Sequence, residues 1–291
     1  MKASQLALLL LLSAIWGSSF MFMRYLSPIV GPLLTADMRM LIAGLFLAIL
    51  FAATGFRLDW KRNWKRFATI GLVNSGLPFL LFCFAALYVP ASVESVLNAL
   101  SPLFGAVFSA IWLGERLTVQ KIAGLIIGAA GVASITSFGS LPVSPLLPAA
   151  ILACVLATAC YGLGGVYIKK RGADLAPKAM AGGSQLAAGL IVLPLAAAFP
   201  PAAIPPPLPL LALVVFALLC SAVAYLIYYK LIAELGPTKA LTVTFLIPVF
   251  GMLWGWLLLG EKISLAMVGG GVLVLAGTGL VALKRGERPT R

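Results

Sequence analysis

The sequence predicts an all-α membrane protein with ten transmembrane helices in two inverted five-helix repeats, with both termini in the cytoplasm. Three observations lead to this prediction: the composition, the length of the apolar runs, and a motif that occurs twice. Of the 291 residues, 62% are hydrophobic and 10% are charged, whereas a soluble domain has about 25% charged residues. This much apolar surface cannot be buried in a water-soluble core, but it suits a bilayer.

The apolar residues fall into runs of the length that a helix needs to cross a bilayer, which is about 20 residues. Each run is predicted to be a helix, because lipid leaves no backbone group unpaired and the runs are too long for barrel strands. The first run could be read as a signal peptide, but the repeat described next includes it. The predicted spans are 4–26, 33–54, 64–87, 91–112, 119–137, 147–168, 177–199, 208–230, 237–259 and 264–283.

The same motif occurs in both halves of the chain, which indicates an internal duplication. LSPLFGAVFSAIWLGERLT begins at Leu100, and IPVFGMLWGWLLLGEKIS begins at Ile247. The predicted repeats are residues 1–140 and 141–291. Five helices is an odd number, so the second repeat enters the membrane from the opposite side, an arrangement that is typical of alternating-access transporters. The positions that match are Trp16/Tyr161, Pro32/Pro177, Pro102/Pro248, Gly105/Gly251, Gly114/Gly260 and Glu115/Glu261.

The basic residues determine the predicted orientation. With the amino terminus in the cytoplasm, all of the 21 lysines and arginines lie on the cytoplasmic side except Arg24, Arg39 and Lys262. Loops rich in Lys and Arg stay in the cytoplasm. The net charge of +13 is therefore interpreted as an insertion signal and not as a nucleic-acid surface, and the lipid bilayer is the predicted partner.

Several chemistries are excluded by what the sequence lacks. It has no histidine, which removes zinc sites and nucleophiles that depend on histidine. No cofactor or metal is expected, and the four cysteines are interpreted as free core thiols. No P-loop is present, so transport would use a gradient or run downhill. Carboxylates within the spans are too few for a membrane enzyme, so catalysis is not expected.

Charged residues within the spans are the first candidates for a site, because such residues are costly in lipid. Glu94, Asn98 and Ser101 are spaced so that they share one helix face. Glu94 would bind an ammonium group or a coupling proton, or it would form a structural ion pair with Arg39. Asp37 would neutralise Arg39 or Arg24, or it would lie at the rim of a cavity.

Polar and aromatic residues without charge complete the predicted substrate-binding set. Trp16 and Tyr161 occupy matching central positions, where they would form cavity walls or simply pack between helices. A mostly apolar cavity with a few amides, hydroxyls and one carboxylate would suit a neutral amino acid. Amides could instead hold helices together. The further members of this predicted set are Asn74, Gln185, Tyr225 and Thr244, the last being the counterpart of Asn98.

Two repeated features are interpreted as structural. Glu115 and Glu261 lie in tight loops on opposite sides of the membrane, where they would satisfy helix ends, with Thr118 and Ser264 as N-caps. Glycines in the fifth and tenth spans, such as Gly124 and Gly128, permit close helix contact. These spans would pack against the bundle or form a dimer face, so the expected assembly is a monomer or a weak dimer.

The motifs AIWGSSF in span 1, Pro32 with Arg39 in span 2, and the two Leu-Gly-Glu segments resemble the drug/metabolite transporter superfamily. The resemblance covers nearly the whole chain and is strongest to ten-helix bacterial exporters built from two EamA-type repeats. It implies a structural Arg39, a multi-pass protein of the bacterial inner membrane, and export of aromatic and other neutral amino acids by alternating access. Export of drugs or other metabolites by the same fold is the alternative.

Overall fold

The computed structural model describes residues 2–138, 141–201, 203–235, 240 and 242–282, except the side chains of Phe138 and Tyr229. Over these residues the chain is helical and contains no β-strand. We label the long helices α1 to α10. They are α1 Ala3–Val30, α2 Pro32–Ala53, α3 Trp60–Ala85, α4 Ala91–Leu113, α5 Val119–Phe138, α6 Leu147–Arg171, α7 Pro177–Ala198, α8 Pro207–Leu235, α9 Val243–Leu259 and α10 Leu265–Ala282.

Within the described ranges, nine of these helices are long and apolar enough to cross a membrane. The tenth, α9, is equally apolar but is 17 residues long. The predicted span at this place begins at residue 237, and residues 236–239 and 241 lie outside the described part of the chain. The prediction of an all-helical membrane protein is confirmed, and the described helices match the predicted spans closely.

The helix ends follow the local sequence. Gly114 and Gly260 end α4 and α9 in the left-handed conformation, with φ of 69° and 65°, which costs glycine little because it lacks a Cβ. In the loops that follow, the Thr118 and Ser264 hydroxyls accept hydrogen bonds from the backbone N–H of Lys121 and Met267, at 3.3 and 3.2 Å. The two predicted N-caps are therefore confirmed.

Helix α4 is broken in its middle. It consists of two segments, Ala91–Asn98 and Ser101–Leu113, because Pro102 cannot continue the hydrogen-bond ladder. The freed carbonyls find other partners: the Ser101 hydroxyl donates to the Asn98 carbonyl, and the Thr278 hydroxyl of α10 donates to the Ala99 carbonyl, both at 2.7 Å. The stripe of Glu94, Asn98 and Ser101 predicted on one continuous helix face is consequently interrupted.

Helices α3 and α8 each contain one π-helical turn, at Leu72–Gly76 and Leu218–Val223. Such a turn adds a residue and rotates the side chains that follow it. Ser75 and Ser221 are each the fourth residue of their turn and are buried. The same irregularity thus occurs in the third helix of both halves, and the sequence analysis did not predict it.

Close contacts between helices also occur in matched pairs. A Cβ on Gly17 of α1 would collide with Phe250 and Gly251 of α9, and a Cβ on Gly162 of α6 would collide with Phe104 and Gly105 of α4. The tryptophan or tyrosine that precedes each glycine is thereby held at the contact between the two halves. These contacts position the candidate site.

Helices α5 and α10 pack against each other at their glycines. Gly124 and Gly131 of α5 lie against the backbone of Gly277 and Gly270 of α10. These four glycines thus have the predicted packing role, whereas a Cβ on Gly269 of α10 would meet no described atom within 4 Å. The alternative of a dimer face stays a prediction.

Candidate functional site

Arg39 of α2 lies in the core of the bundle. Its side chain is 5% exposed, and its Nε donates a hydrogen bond to the Ser221 hydroxyl of α8 at 3.0 Å. The guanidinium carbon is 3.8 Å from the ring centre of Phe79 of α3 and 4.6 Å from that of Phe216 of α8. These two cation–π contacts and the hydrogen bond hold the guanidinium in place.

A second polar group lies beside Arg39. The Gln185 amide of α7 donates to the Ser75 hydroxyl of α3 at 3.3 Å, and the Tyr225 hydroxyl of α8 lies beside both of these groups. Gln185 and Ser75 are buried. Each serine of a π-helical turn therefore bonds to the second helix of the other half, which joins the two halves inside the bundle.

Aromatic rings surround these polar groups. The Trp16 ring of α1 contacts Tyr225 at 6.1 Å and Tyr228 at 5.2 Å between ring centres. The Tyr161 ring of α6 stacks on Phe82 at 6.2 Å. Arg39 is within electrostatic reach of the Tyr161 and Tyr225 hydroxyls. We call the set of Trp16, Arg39, Phe79, Tyr161, Gln185, Ser221 and Tyr225, with Ser75, the central cluster.

Glu94 of α4 is fully buried, and neither carboxylate oxygen has a hydrogen-bond partner. Arg24 of α1 is within electrostatic reach, but its guanidinium donates to the Ala86 carbonyl. The alternative of a structural ion pair between Glu94 and Arg39 is wrong, because neither Glu94 oxygen has a partner and the Arg39 side chain contacts Ser221, Phe79 and Phe216 instead.

Asp37 is also fully buried, and both of its carboxylate oxygens lack partners. The predicted neutralisation of Arg39 or Arg24 by Asp37 is wrong, since the Nε of Arg39 is engaged by Ser221 and Arg24 donates to a backbone carbonyl. Asp37 lies about half a turn from Arg39 on the same helix, so the two side chains leave α2 in different directions.

The other predicted residues lie outside the central cluster. Asn74 is next to Ser75 in the π-helical turn of α3 but packs against Gly164 of α6. Asn98 and Ser101 belong to the break in α4, where the Ser101 hydroxyl is bound to the backbone. Thr244 is half-buried near the start of α9.

Sequence reasoning missed four members of the site or its support: Ser75, Ser221, Phe79 and Phe216. Nothing in a single apolar run distinguishes these side chains from ordinary packing residues. The one available signal was that Ser75 and Ser221 occupy matching positions of the two repeats.

A separate groove of about 490 Å³ lies at the end of the bundle formed by the α1–α2 and α7–α8 connections. Its lining includes Pro28, Ile29, Pro32, Phe199 and Ile204. The groove has no charged side chain to orient a ligand. The central cluster, which combines aromatic walls with fixed polar groups, is the better candidate site.

Two loop carboxylates, those of Glu115 and Asp174, are paired with basic side chains. Glu115 accepts a hydrogen bond from Lys169 at 2.8 Å and faces Lys121 at 3.5 Å, and the bond from Lys169 holds the pKa of Glu115 below its usual range. The Arg66 guanidinium lies 2.7 Å from an Asp174 oxygen and lowers the pKa of that carboxyl.

Glu261 meets the predicted role of satisfying a helix end, but the helix belongs to the other half. Its two oxygens accept hydrogen bonds from the backbone N–H groups of Ala91 and Ser92, at 2.7 and 2.9 Å. The negative charge thus lies at the positive end of α4.

Comparison with known proteins gives the family. The model of the EamA-like transporter family matches this chain twice, at residues 4–137 and 148–283. The chain belongs to this family. The EamA-like transporter is 29% identical over 286 residues to "Uncharacterized transporter YvbV" of Bacillus subtilis, with 97% of this chain and 93% of that protein covered. The resemblance noted from the motifs is thereby confirmed.

Other relatives of this EamA-like transporter carry more specific names. The "Probable terminal-alkyne amino-acid exporter" of Streptantibioticus cattleyicolor is 26% identical, with 97% of this chain and 94% of that protein covered. The "Uncharacterized inner membrane transporter YedA" of Escherichia coli K12 is 29% identical, with 90% and 85% covered. A solved crystal structure shares the fold, with a TM-score of 0.68 at 19% identity and 96% of each chain covered. The protein is a membrane transporter of the EamA family.

Proposed function

We propose that this transporter exports small neutral amino acids, including aromatic ones, from the cytoplasm across a bacterial inner membrane by alternating access. The observation that carries the proposal is the central cluster. Its aromatic rings and few fixed polar groups fit a ligand with an apolar side chain and a polar head. The name of the Streptantibioticus relative, an amino-acid exporter, supports this substrate class, and that of the Escherichia coli relative supports the inner membrane.

The proposed mechanism uses ten spans in two inverted repeats, residues 1–140 and 141–291, with both termini in the cytoplasm. The matched glycine contacts and the matched π-helical turns support a pseudo-symmetric pair of halves. The central cluster joins α2 and α3 of one half to α7 and α8 of the other. Rocking of the halves about this cluster would open it to each side in turn.

Glu94 would contribute in one of two ways. It would bind the substrate ammonium group, or it would carry a coupling proton; downhill facilitation needs no coupling ion. Its burial without a hydrogen-bond partner is the feature that supports a role beyond packing, because an unpaired polar group at membrane depth is costly.

The test is uptake of radiolabelled phenylalanine, tryptophan, threonine, methionine and lysine into liposomes that contain the purified protein. We expect saturable uptake of the neutral amino acids, little uptake of lysine, and none in empty liposomes. Trp16→Ala should reduce uptake of phenylalanine at least about tenfold, because an aromatic wall of the central cluster is lost. The matched control is Trp256→Ala, since Trp256 of α9 is 58% exposed toward the predicted lipid.

Two results would contradict the proposal. If no amino acid enters although the protein is folded and inserted, the substrate class is wrong, and drugs or other metabolites become the class to test. If amino acids enter but Trp16→Ala behaves like Trp256→Ala, the central cluster is not the binding site.

A further inference from the structure

The first turns of α3 carry four basic residues within six positions, namely Lys61, Arg62, Lys65 and Arg66. Residues 207–212, which begin α8 at the matching place of the second repeat, include no charged residue. The third helix of a repeat can thus begin without basic residues. Their arrangement on α3 therefore has a reason other than helix packing.

One side of this part of α3 is fixed to the bundle. Phe67 and Ile70 are 0% and 1% exposed, and a Cβ on Gly183 of α7 would collide with the Phe67 ring. The Arg66 guanidinium is paired with Asp174 of the α6–α7 connection. Because these contacts hold the helix in one orientation, they also set the direction in which its remaining side chains point.

The opposite side of the same turns has no protein neighbour to neutralise it. Lys61, Trp64 and Lys65 are spaced so that they share one helix face. Trp64 is 51% exposed, both lysines are exposed, and the Lys65 ammonium is 5.7 Å from the centre of the Trp64 ring. Within the described part of the chain, no acidic side chain forms an ion pair with either lysine. We call these three residues the α3 surface.

The α3 surface lies at the level of the lipid headgroups. Trp64 is the first residue of the predicted span 64–87, which puts it at the boundary between water and hydrocarbon, where tryptophan is enriched. Lys61 lies about one turn farther from the hydrocarbon, and lysine side chains extend their ammonium groups toward the headgroups. Two ammonium groups and one aromatic ring thus face the layer that contains the lipid phosphates.

The charge of the α3 surface selects among lipids. Two neighbouring lysines without an acidic partner favour an anion, and the anion present at this level of a bilayer is the phosphodiester of a phospholipid. A zwitterionic headgroup also carries an ammonium group, which the lysines repel, whereas the headgroup of phosphatidylglycerol carries none. Charge complementarity therefore favours an anionic phospholipid over a zwitterionic one.

We propose that Lys61, Trp64 and Lys65 form a binding site for an anionic phospholipid, with its phosphate between the two ammonium groups and an acyl chain against the Trp64 ring. The site shares no residue with the central cluster, so this inference is independent of the proposed function. It also differs from the orientation signal. The positive-inside rule depends on how many basic residues a connection carries, whereas this site depends on two lysines beside one tryptophan.

The test is quenching of tryptophan fluorescence by brominated lipids, with the purified protein in a non-ionic detergent. Brominated phosphatidylglycerol or brominated phosphatidylcholine is titrated into the unaltered protein and into Trp64→Phe, and the difference between the two proteins isolates the signal of Trp64. We expect half-maximal quenching of Trp64 at an at least about tenfold lower mole fraction of phosphatidylglycerol, since each lysine near the headgroup favours the anionic lipid by about fivefold.

Paired variants then locate the site, each measured with and without Trp64→Phe. Lys61→Gln combined with Lys65→Gln should abolish the preference for phosphatidylglycerol. Lys61→Arg combined with Lys65→Arg keeps both charges and should retain the preference. The matched control is Lys170→Gln combined with Lys230→Gln, which removes the same charge from exposed positions of α6 and α8 and should leave the preference unchanged.

Four results would overturn the site. They are equal half-maximal quenching by the two lipids, loss of the preference in the arginine pair, an equal loss in the control pair, and displacement of phosphatidylglycerol by inorganic phosphate at the same concentration. The last would indicate a site for free anions and not for a lipid. None of these results bears on amino-acid uptake through the central cluster, so the proposed function is tested separately.

Discussion

Glu115 and Glu261 occupy matching positions in the two Leu-Gly-Glu loops, but their carboxylates have different partners. Glu261 accepts two backbone N–H groups at the start of α4. Glu115 instead lies between Lys169 and Lys121. Identical residues at matching positions of the two repeats can therefore form different contacts, because the groups that surround them differ. Because Glu115 is paired with lysines, its contribution to the stability of the protein should depend on pH.

Lys169→Met should remove most of the stabilisation that Glu115 provides at neutral pH. The pKa of Glu115 is lowered in the folded protein, so the pair stabilises the fold above the unfolded pKa, and this contribution is lost as the pH falls through the folded pKa. The side chain of Glu115 is 37% exposed, which limits the effect to below about 1 kcal/mol. Thermal unfolding in detergent, followed by tryptophan fluorescence, should show a stability difference at pH 7 that shrinks toward pH 3.

Lys170→Met is the matched control, because the Lys170 ammonium forms no ion pair with a described residue and contacts the Trp112 carbonyl at 3.5 Å. If the difference between Lys169→Met and the unaltered protein were constant from pH 7 to pH 3, the ion pair would not be its source.

At the scale of helices, close packing depends on glycines that lie at particular contacts. A Cβ on Gly277 of α10 would meet the Gly124 carbonyl and the backbone of Gly128 in α5, whereas a Cβ on Gly279 would meet no atom of the described residues within 4 Å. The two glycines are two residues apart on one helix and so differ in packing but not in helix propensity. Alanine variants at the two positions therefore measure how much the contact between α5 and α10 contributes to the stability of the protein.

Gly277→Ala should destabilise the protein by roughly 1–3 kcal/mol, because the added methyl group forces the two backbones apart. Gly279→Ala should be neutral or stabilising by up to about 1 kcal/mol, since alanine favours the helix. Thermal unfolding of both variants in the same detergent makes the comparison. Equal behaviour of the two variants would show that α5 and α10 are not packed as described.

At the scale of the whole molecule, the distribution of basic residues predicts which end of the bundle faces the cytoplasm. The α2–α3 connection and the first turn of α3 carry exposed basic residues, Arg57 and Lys61 among them, and the α5–α6 connection carries Val143, which is fully exposed. Three predicted spans, α3 to α5, separate these two connections. They should therefore lie on opposite sides of the membrane, as inversion of the second repeat requires. The positive-inside rule assigns the first of them to the cytoplasm.

Single cysteines placed at these positions should therefore react differently with a membrane-impermeant maleimide. In a variant without the four native cysteines, Val143→Cys should be labelled in intact spheroplasts, and Lys61→Cys only after the membrane is permeabilised. Labelling of both from the outside, or of Lys61→Cys alone, would exclude the proposed topology. Expression and insertion are checked by labelling both variants in detergent.

The sequence alone was sufficient for the positions of the helices. Spans such as 33–54 and 177–199 were predicted within about two residues, because the length of an apolar run is set by the bilayer and is visible without any tertiary contact. The N-caps at Thr118 and Ser264 were predicted for the same reason: a cap involves only residues a few positions apart. Trp16, Gln185 and Tyr225, three of the predicted substrate-binding residues, lie together in the structure, and their binding role stays a prediction.

Tertiary structure alone decided which of the buried polar groups meet. Arg39 bonds to Ser221, and Glu94 is left without a partner, because π-helical turns and a break at Pro102 rotate the facing helices by amounts that a periodic pattern does not contain. A sequence defines the faces of a helix, since that depends on local geometry. Which face meets which neighbour depends on the packing of all the helices together, and this packing leaves the buried Glu94 carboxylate without a hydrogen-bond partner.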